Sequence, residues 1–332
     1  MGTESDSNNA AGGTYSAADI EVLEGFEAVR KRPGMYFGST GATGQTAFFS
    51  EFVDNVLDEH LGGHCSTLRV DYHPGDNSWT VSDDGRGLAL ESSPSALDRI
   101  FVQLHGGSTL DGHTPHVHSG LWGIGLAAAN AVAELLVVTV SRPTGRYEAI
   151  FRAGQIVAPL TRVGDCIQSG TTIHVRPDMA IFTELPDLVA VEAHLDLVAH
   201  LNPRLRVEFC GRNISQPGGL LSLARSEAQG QIVDMLTVTA RAEEIDVDIA
   251  IVWDGQTSFS RTFANQLELS EGGVVNDTIE EVMSYGSPAI VVAALMIQEP
   301  HYSGRTKQRL EMPKAGEATR SVLLPALRRH SA

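Results

Sequence analysis

Three glycines, Gly120, Gly123 and Gly125, stand directly before a run of small residues in segment 119–130, SGLWGIGLAAAN. The run predicts a helix over 125–135, and bare amides at its start would suit a phosphate group. The order GxxGxG is not the GxGxxG of dinucleotide-binding domains, and no GxxxxGK followed by Ser or Thr occurs in the chain. This segment therefore indicates a phosphate site outside the two commonest nucleotide-binding folds.

A second pattern lies in the helix predicted over 46–61, whose apolar residues recur at helical spacing until two glycines end it. Glu51 and Asn55 are four residues apart and therefore project from one face. An amide oxygen such as that of Asn55 suits a divalent cation bound to phosphate oxygens, and Glu51 is placed to take a proton from an attacking water. Taken alone, this pair is more typical of a solvated helix face.

The segment 82–88, SDDGRGL, follows a strand predicted at 78–82. Asp83 at the strand end can accept a hydrogen bond from an exocyclic amine, while neighbouring glycines let a flat ring lie against the backbone. The ordinary alternative is a tight Asp-Gly turn. In the segment SGTT, the hydroxyl of Thr171 can share a water with the same ring. A carboxylate accepts from an amine and repels a carbonyl, so Asp83 favours adenine over guanine.

Together, and in this order, these segments resemble the ATPase region of the DNA gyrase B subunit and of topoisomerase IV. The wider family includes histidine kinases, heat-shock chaperones and mismatch-repair ATPases. The resemblance is carried by VLEGFEAVRKRPGMYFGST, EFVDNVLDEH, VSDDGRGL, SGLWGIG and SGTT, and it is specific over residues 15–175 and fainter afterwards. It implies an α+β fold, in which a GHKL (Bergerat) ATP-binding α/β sandwich is followed by a shortened ribosomal-S5-domain-2-like transducer domain.

The same resemblance implies three domains and the catalytic groups. We expect a flexible leader over 1–14, an ATP-binding domain with an N-terminal dimerisation arm over 15–213, and the transducer-like domain over 214–332. Glu51 would be the general base, and Lys307, in the segment RTKQRL, would reach the γ-phosphate of ATP.

The ATP-binding residues are also implied by the resemblance. Asn55 would hold Mg²⁺, and Arg86 would pair with Glu59 at the floor of the adenine pocket. Tyr15 and Ile20 would belong to the dimerisation arm. The remaining expected contacts are Asp83, Gly87, Leu88, Thr171, Val56, Val81 and Ile173 around the adenine, and His116, Gly120, Leu121, Trp122, Gly123, Ile124 and Gly125 around the phosphates.

The histidine-rich segment 105–119 departs from the family pattern. Thr109 and His116 stand where relatives carry lysine, so we expect weaker nucleotide binding or a pH-sensitive lid. His113, His116 and His118 are an alternative metal-binding set, although a mobile lid is the preferred interpretation. The second domain is also expected to be shortened, and we expect the chain to lack the DNA-cleavage parts of a topoisomerase.

Composition limits the partners and the location. The net charge of −17 and pI near 5.0 make free DNA an unfavourable partner. The sequence has no apolar run long enough to span a membrane, and its first residues lack the pattern of a signal peptide. A cytoplasmic location is therefore expected.

Three functions remain open from the sequence. The first is a Mg-dependent ATPase that forms a homodimer through its N-terminal arm when it binds nucleotide. The second is an enzyme of specialised metabolism that uses the same pocket to phosphorylate or activate a small-molecule second substrate. The third is a non-catalytic ATP-binding regulator with a gyrase-type protein partner. Turnover that requires a second substrate would favour the second function, and binding without turnover would favour the third.

Overall fold

The computed structural model describes residues 23, 25–90, 96–104, 123–284, 286–303 and 307–330. The helices are α1 (Gly25–Lys31), α2 (Gly34–Phe37), α3 (Ala42–Leu61), α4 (Ala96–Val102), α5 (Gly125–Ala131), α6 (Leu188–Leu201), α7 (Gly219–Ser226), α8 (Val274–Met283) and α9 (Pro313–His330). The strands are β1 (Thr67–His73), β2 (Ser78–Asp83), β3 (Ala133–Arg142), β4 (Gly145–Arg152), β5 (Gln155–Gly164), β6 (Gly170–Pro177), β7 (Arg206–Phe209), β8 (Arg212–Asn213), β9 (Asp234–Ala242), β10 (Ile245–Trp253), β11 (Phe259–Ala264), β12 (Leu267–Glu268), β13 (Ile290–Met296), β14 (Tyr302–Ser303) and β15 (Arg309–Leu310).

The first sheet has eight strands in the order β5-β4-β3-β6-β2-β1-β7-β8, and α3 packs against it. Successive side chains of a strand point to opposite faces. On β2 this alternation buries Trp79, Val81 and Asp83 on the same face. The rings of Trp79 and Phe49 of α3 lie 4.6 Å apart, so aromatic packing fixes the helix over this strand. The strand therefore ends with Asp83 on its helix-covered face.

The second sheet has five strands in the order β12-β11-β13-β10-β9. Its neighbours β10 and β13 are antiparallel, and most of their residues are buried. Helices α8 and α9 pack on each other, and α9 also contacts β9 and β10. Val275, Ala318 and Leu323 supply buried side chains to this core. The chain is thus a mixed α/β protein with one large and one smaller sheet, as predicted.

The bounds of two predicted helices need correction. Helix α3 begins at Ala42 rather than residue 46, because the Glu184 carboxylate accepts a hydrogen bond from the Ala42 amide. Helix α5 ends at Ala131 rather than residue 135, because the chain pairs with β6 from Ala133 onward. The run 211–219, which is rich in glycine and polar residues and is therefore expected to be a domain boundary, contains β8 and the start of α7, and the boundary itself stays a prediction. The strands that were not predicted are β7, β8, β9, β11, β12, β14 and β15.

The domain limits stay a prediction, although β8, the last strand along the first sheet, ends at Asn213. In the part of the chain that the structure describes, no helix is both long enough and apolar enough to cross a membrane.

Candidate ATP site

Glu51 lies where α3 meets the start of α5. A Cβ added to Gly125 would overlap Oε2 of Glu51 and lie 2.7 Å from its Cδ. Such an approach is open only to a residue without a side chain. The Glu51 carboxylate of α3 therefore packs directly against the backbone of Gly125 at the start of α5.

Lys307, far away in the sequence, lies in the electrostatic field of this carboxylate. Burial raises the pKa of Glu51 to about 7, and the positive charge of Lys307 opposes the rise. The pKa of Asp54 lies well above its usual range because of burial and the nearby charges of Glu51 and Asp58, again opposed by Lys307. Burial lowers the pKa of Lys307, while Glu51 and Asp54 counteract it. The two residues expected to be catalytic thus interact electrostatically.

Asp83 is buried at the end of β2 and is held by backbone amides. Oδ1 accepts hydrogen bonds from the amides of Gly85 at 2.8 Å and Thr171 at 3.2 Å. Burial raises the pKa of Asp83 to about 6, and these two hydrogen bonds counteract part of the rise. Among the described residues, none donates to Oδ2. That oxygen is the one available to an exocyclic amine.

The backbone beside Asp83 is fixed by several contacts. Gly87 has φ +79°, and a Cβ there would lie 2.8 Å from the Ser141 carbonyl oxygen, so glycine is required at this position. The Leu88 amide donates to Oγ1 of Thr171 at 3.2 Å. Arg142 donates to the Gly87 carbonyl from Nε and Nη2 at 3.3 and 3.0 Å. Sequence reasoning missed Arg142, which stands in no motif and reaches Gly87 only through strand pairing.

Glu59 and Arg86 form the expected pair. Nη2 of Arg86 lies 2.7 Å from Oε1 of Glu59, and the Arg86 amide also donates to Oε2. Burial acts to raise the pKa of Glu59, but the hydrogen bonds and charge of Arg86 outweigh it, and the pKa falls. A Cβ on Gly85 would lie 2.9 Å from carboxylate oxygens of both Asp83 and Glu59. The SDDGRGL turn is therefore packed tightly between two acids.

Asp84 supports this turn from behind, which the sequence did not indicate. Its carboxylate accepts hydrogen bonds from the Ser66 amide, the Ser66 hydroxyl and the Thr67 amide at 2.5–2.8 Å. Burial acts to raise its pKa, but these hydrogen bonds prevail and hold the pKa at about 2. Asp84 thus joins the turn to the start of β1.

The other expected site residues are placed as follows. Val56, Val81 and Ile173 are fully buried, with Val81 paired to Ile173 across β2 and β6. Gly123 has φ +59°, and Ile124 precedes α5. Asn55 shares α3 with Glu51 and is partly buried. The residues that lie outside the described part of the chain are Tyr15, Ile20, Thr109, His113, His116, His118, Gly120, Leu121 and Trp122.

Comparison with known proteins defines the class of this domain. Residues 46–181 match the family described as histidine kinase-, DNA gyrase B- and HSP90-like ATPase. The 43K ATPase domain of Thermus thermophilus gyrase B, solved in complex with an aminocoumarin, superimposes with a TM-score of 0.76 at 24% identity. That alignment covers 92% of this chain and 89% of the other. The B-subunit of Myxococcus xanthus DNA gyrase superimposes with a TM-score of 0.75 at 21% identity, and the alignment covers 90% of this chain and 94% of the other. The fold is therefore that of GHKL ATPase domains.

Sequence similarity narrows the class further. The DNA gyrase B protein of Thermotoga maritima is 30% identical over 95% of this chain and 56% of the relative. The gyrase B protein of Clostridium acetobutylicum is 32% identical over 89% of this chain and 53% of the relative. The chain belongs to this ATPase family and is a homologue of gyrase B over most of its length. It spans about half the length of these curated relatives.

Proposed function

We propose that the protein binds ATP and hydrolyses it in a Mg²⁺-dependent reaction. The observation that carries the proposal is the electrostatic interaction between Glu51 and Lys307. A carboxylate with a pKa of about 7 suits proton abstraction near neutral pH. A lysine beside it suits the negative charge of a terminal phosphate.

Adenine recognition is assigned to Asp83. Its Oδ1 is engaged by the Gly85 and Thr171 amides, so Oδ2 is the oxygen that would accept from the adenine amine. The Gly87–Leu88 backbone, held by Arg142 and Thr171, would lie beside the ring. These contacts favour a base that donates at this position.

The residues present fit a Mg²⁺ ion that is bound mainly by the nucleotide. Among the described residues, no group of three or more His, Cys, Asp or Glu side chains could hold a metal by itself. Mg²⁺ commonly keeps several waters and takes one or two protein oxygens together with phosphate oxygens, and Asn55 would supply an amide oxygen of this kind. When bound, the ion would neutralise phosphate charge.

In the hydrolysis step, Glu51 would take a proton from a water molecule. The water oxygen attacks the γ-phosphorus, the bond from phosphorus to the bridging oxygen breaks, and that oxygen leaves with ADP. Lys307 would stabilise charge on the γ-phosphate oxygens as this bond breaks. The divided roles predict that loss of Glu51 impairs turnover more than binding.

We further propose that nucleotide binding promotes a homodimer through the N-terminal arm. This proposal rests on the resemblance of Tyr15, Ile20 and the VLEG motif to the family arm, and on homology to gyrase B. A gyrase-type protein partner or a small-molecule second substrate would then determine which process is coupled to ATP hydrolysis.

The proposal is tested by phosphate release from ATP at increasing protein concentration, with Mg²⁺ or with EDTA. We expect Mg²⁺-dependent turnover whose rate per protein chain rises with concentration as dimers form. A rate per chain that is independent of concentration, with no dimer in solution, would contradict the dimer proposal. ATP binding without turnover would contradict the ATPase proposal, and turnover that appears only with a small-molecule acceptor would favour the repurposed enzyme.

A further inference from the structure

Lys307 and Gln308 are the described residues of the loop in a short hairpin. Strands β14 and β15 pair Ser303 with Arg309 and Tyr302 with Leu310, so Lys307 lies just before the second strand. Lys307 has φ +57°, a left-handed conformation that residues with a side chain rarely adopt. Such a conformation persists only where surrounding contacts impose it. The contacts that hold this loop therefore set the position of Lys307.

Glu271 contacts the loop with both of its backbone polar groups. Its amide donates to the Gln308 carbonyl at 3.0 Å, and its carbonyl accepts from Nη1 of Arg309 at 3.0 Å. The two residues that follow Lys307 are thus tied to the backbone of a single residue. Only the second of these hydrogen bonds involves a side chain, so a mutation of Arg309 can remove it.

The far end of the hairpin is anchored independently. Leu310 is fully buried, and it forms a bridge with Gly273, where an added Cβ would overlap the Leu310 carbonyl oxygen. Tyr302 donates its hydroxyl to the Ala264 carbonyl at 3.2 Å. These contacts keep the base of the hairpin in place, so loss of the Arg309 side chain would affect the loop and spare the domain.

We propose that Arg309 is a positioning residue for Lys307: its bond to the Glu271 carbonyl sets where the lysine stands relative to Glu51. The inference rests on the proposed ATPase function. Nε of Arg309 also lies 3.7 Å from Oε1 of Glu311. The two side chains are 41% and 59% exposed, so this ion pair contributes little to the position of the loop. The main-chain hydrogen bond is therefore the contact that matters.

The test compares kcat and KM for ATP in wild type, Arg309→Met, Arg309→Lys, Lys307→Met and the double variant Lys307→Met/Arg309→Met. Methionine keeps the apolar stem and removes the donors, whereas lysine keeps a donor. Arg320→Met is the matched control, because it also deletes an exposed arginine paired with a glutamate, here Glu281 on α8.

We expect Arg309→Met to lower kcat about tenfold, the loss expected for one charged hydrogen bond, with KM nearly unchanged. Arg309→Lys should recover most of this loss, and Arg320→Met should match wild type. The double variant should be no slower than Lys307→Met, because Arg309 acts through the lysine.

Two outcomes would overturn the inference. The first is full activity of Arg309→Met when Lys307→Met is impaired. The second is a kcat of the double variant that is lower than that of Lys307→Met by the same factor by which Arg309→Met lowers the kcat of wild type. If Arg309→Met does not fold, Arg309→Gln, which is too short to replace the guanidinium, takes its place in both comparisons. A wild type that binds ATP without hydrolysing it refutes the proposed function and, with it, the inference.

Discussion

The Glu51 carboxylate occupies the space that a side chain on Gly125 would fill. Gly125 lies at the start of α5, and its need for glycine comes from this approach rather than from an unusual backbone angle. The sequence had suggested that the glycines of this segment serve the phosphates. The structure gives Gly125 a further task, which is to leave room for the expected general base.

Replacement of Gly125 by alanine should therefore impair hydrolysis more than binding. The added methyl must displace Glu51, and a misplacement of about 1 Å can cost roughly a hundredfold in rate. We expect a large fall in kcat with little change in nucleotide affinity, measured by steady-state turnover and by calorimetric titration with ADP. In a Glu51→Ala background, the carboxylate is gone and Gly125→Ala should cost little more. A loss of affinity with unchanged kcat would instead assign Gly125 to phosphate binding alone.

The pH dependence of turnover should report the ionisation of Glu51. Its pKa is raised to about 7 by burial, and the base must be ionised to accept a proton, so kcat at saturating ATP should rise with pH through about 7. The positive charge of Lys307 counteracts the increase in the pKa of Glu51, so Lys307→Met should move the inflection of kcat to higher pH. Lys314→Met, which removes an exposed lysine paired with Glu244, should leave it in place. An inflection near pH 4 in wild type would contradict the assignment.

Asp83→Asn should reverse the preference of the site for adenine over guanine. Asparagine has one acceptor, and if that oxygen keeps the Gly85 and Thr171 amides, its NH₂ group faces the ligand. Two donors would then meet at the adenine amine, whereas the carbonyl of guanine would find a donor. We expect ATP affinity to fall by at least about tenfold and the preference for ATP over GTP to shrink or invert, as measured by competition binding. Unchanged ATP affinity in a folded variant would remove Asp83 from the adenine site.

Asp84 should contribute to stability in a pH-dependent way. Its pKa in the folded protein is lowered to about 2, so the contribution is present above the unfolded value and is lost as the pH falls through about 2. Asp84→Ala should destabilise the fold by roughly 1–3 kcal/mol at pH 7 in urea unfolding. Asp84→Asn should cost less, because its oxygen can still accept from the Ser66 and Thr67 amides. Equal stability of wild type and the alanine variant at pH 7 would contradict this role.

The periodicity of α3 and the strand-end position of Asp83 could be predicted from local sequence, because spacing alone decides which face a residue occupies. The place of Lys307 beside Glu51 came only from family resemblance, since no local pattern joins residues so far apart. The contacts of Arg142 with Gly87 and of Glu51 with Gly125 could not be predicted. Each depends on how two elements approach each other, which spacing within one element does not encode.

Strand β9 was not predicted, for a physical reason. On β9, exposed and half-buried residues alternate, and polar side chains such as those of Thr237 and Thr239 give a weak apolar signal. It lies at the edge of its sheet, where pairing with β10 on one side determines its structure. Sheet pairing thus overrides local preference.

The proposed role of Glu51 as the general base of ATP hydrolysis can be tested directly. The experiment measures ATP binding and single-turnover hydrolysis for wild type and Glu51→Gln, which keeps the volume beside Gly125 and removes the base. We expect equal binding, with hydrolysis by the variant slower by at least about a hundredfold, a loss typical of a general base. Equal hydrolysis by the two proteins would show that Glu51 is not the base.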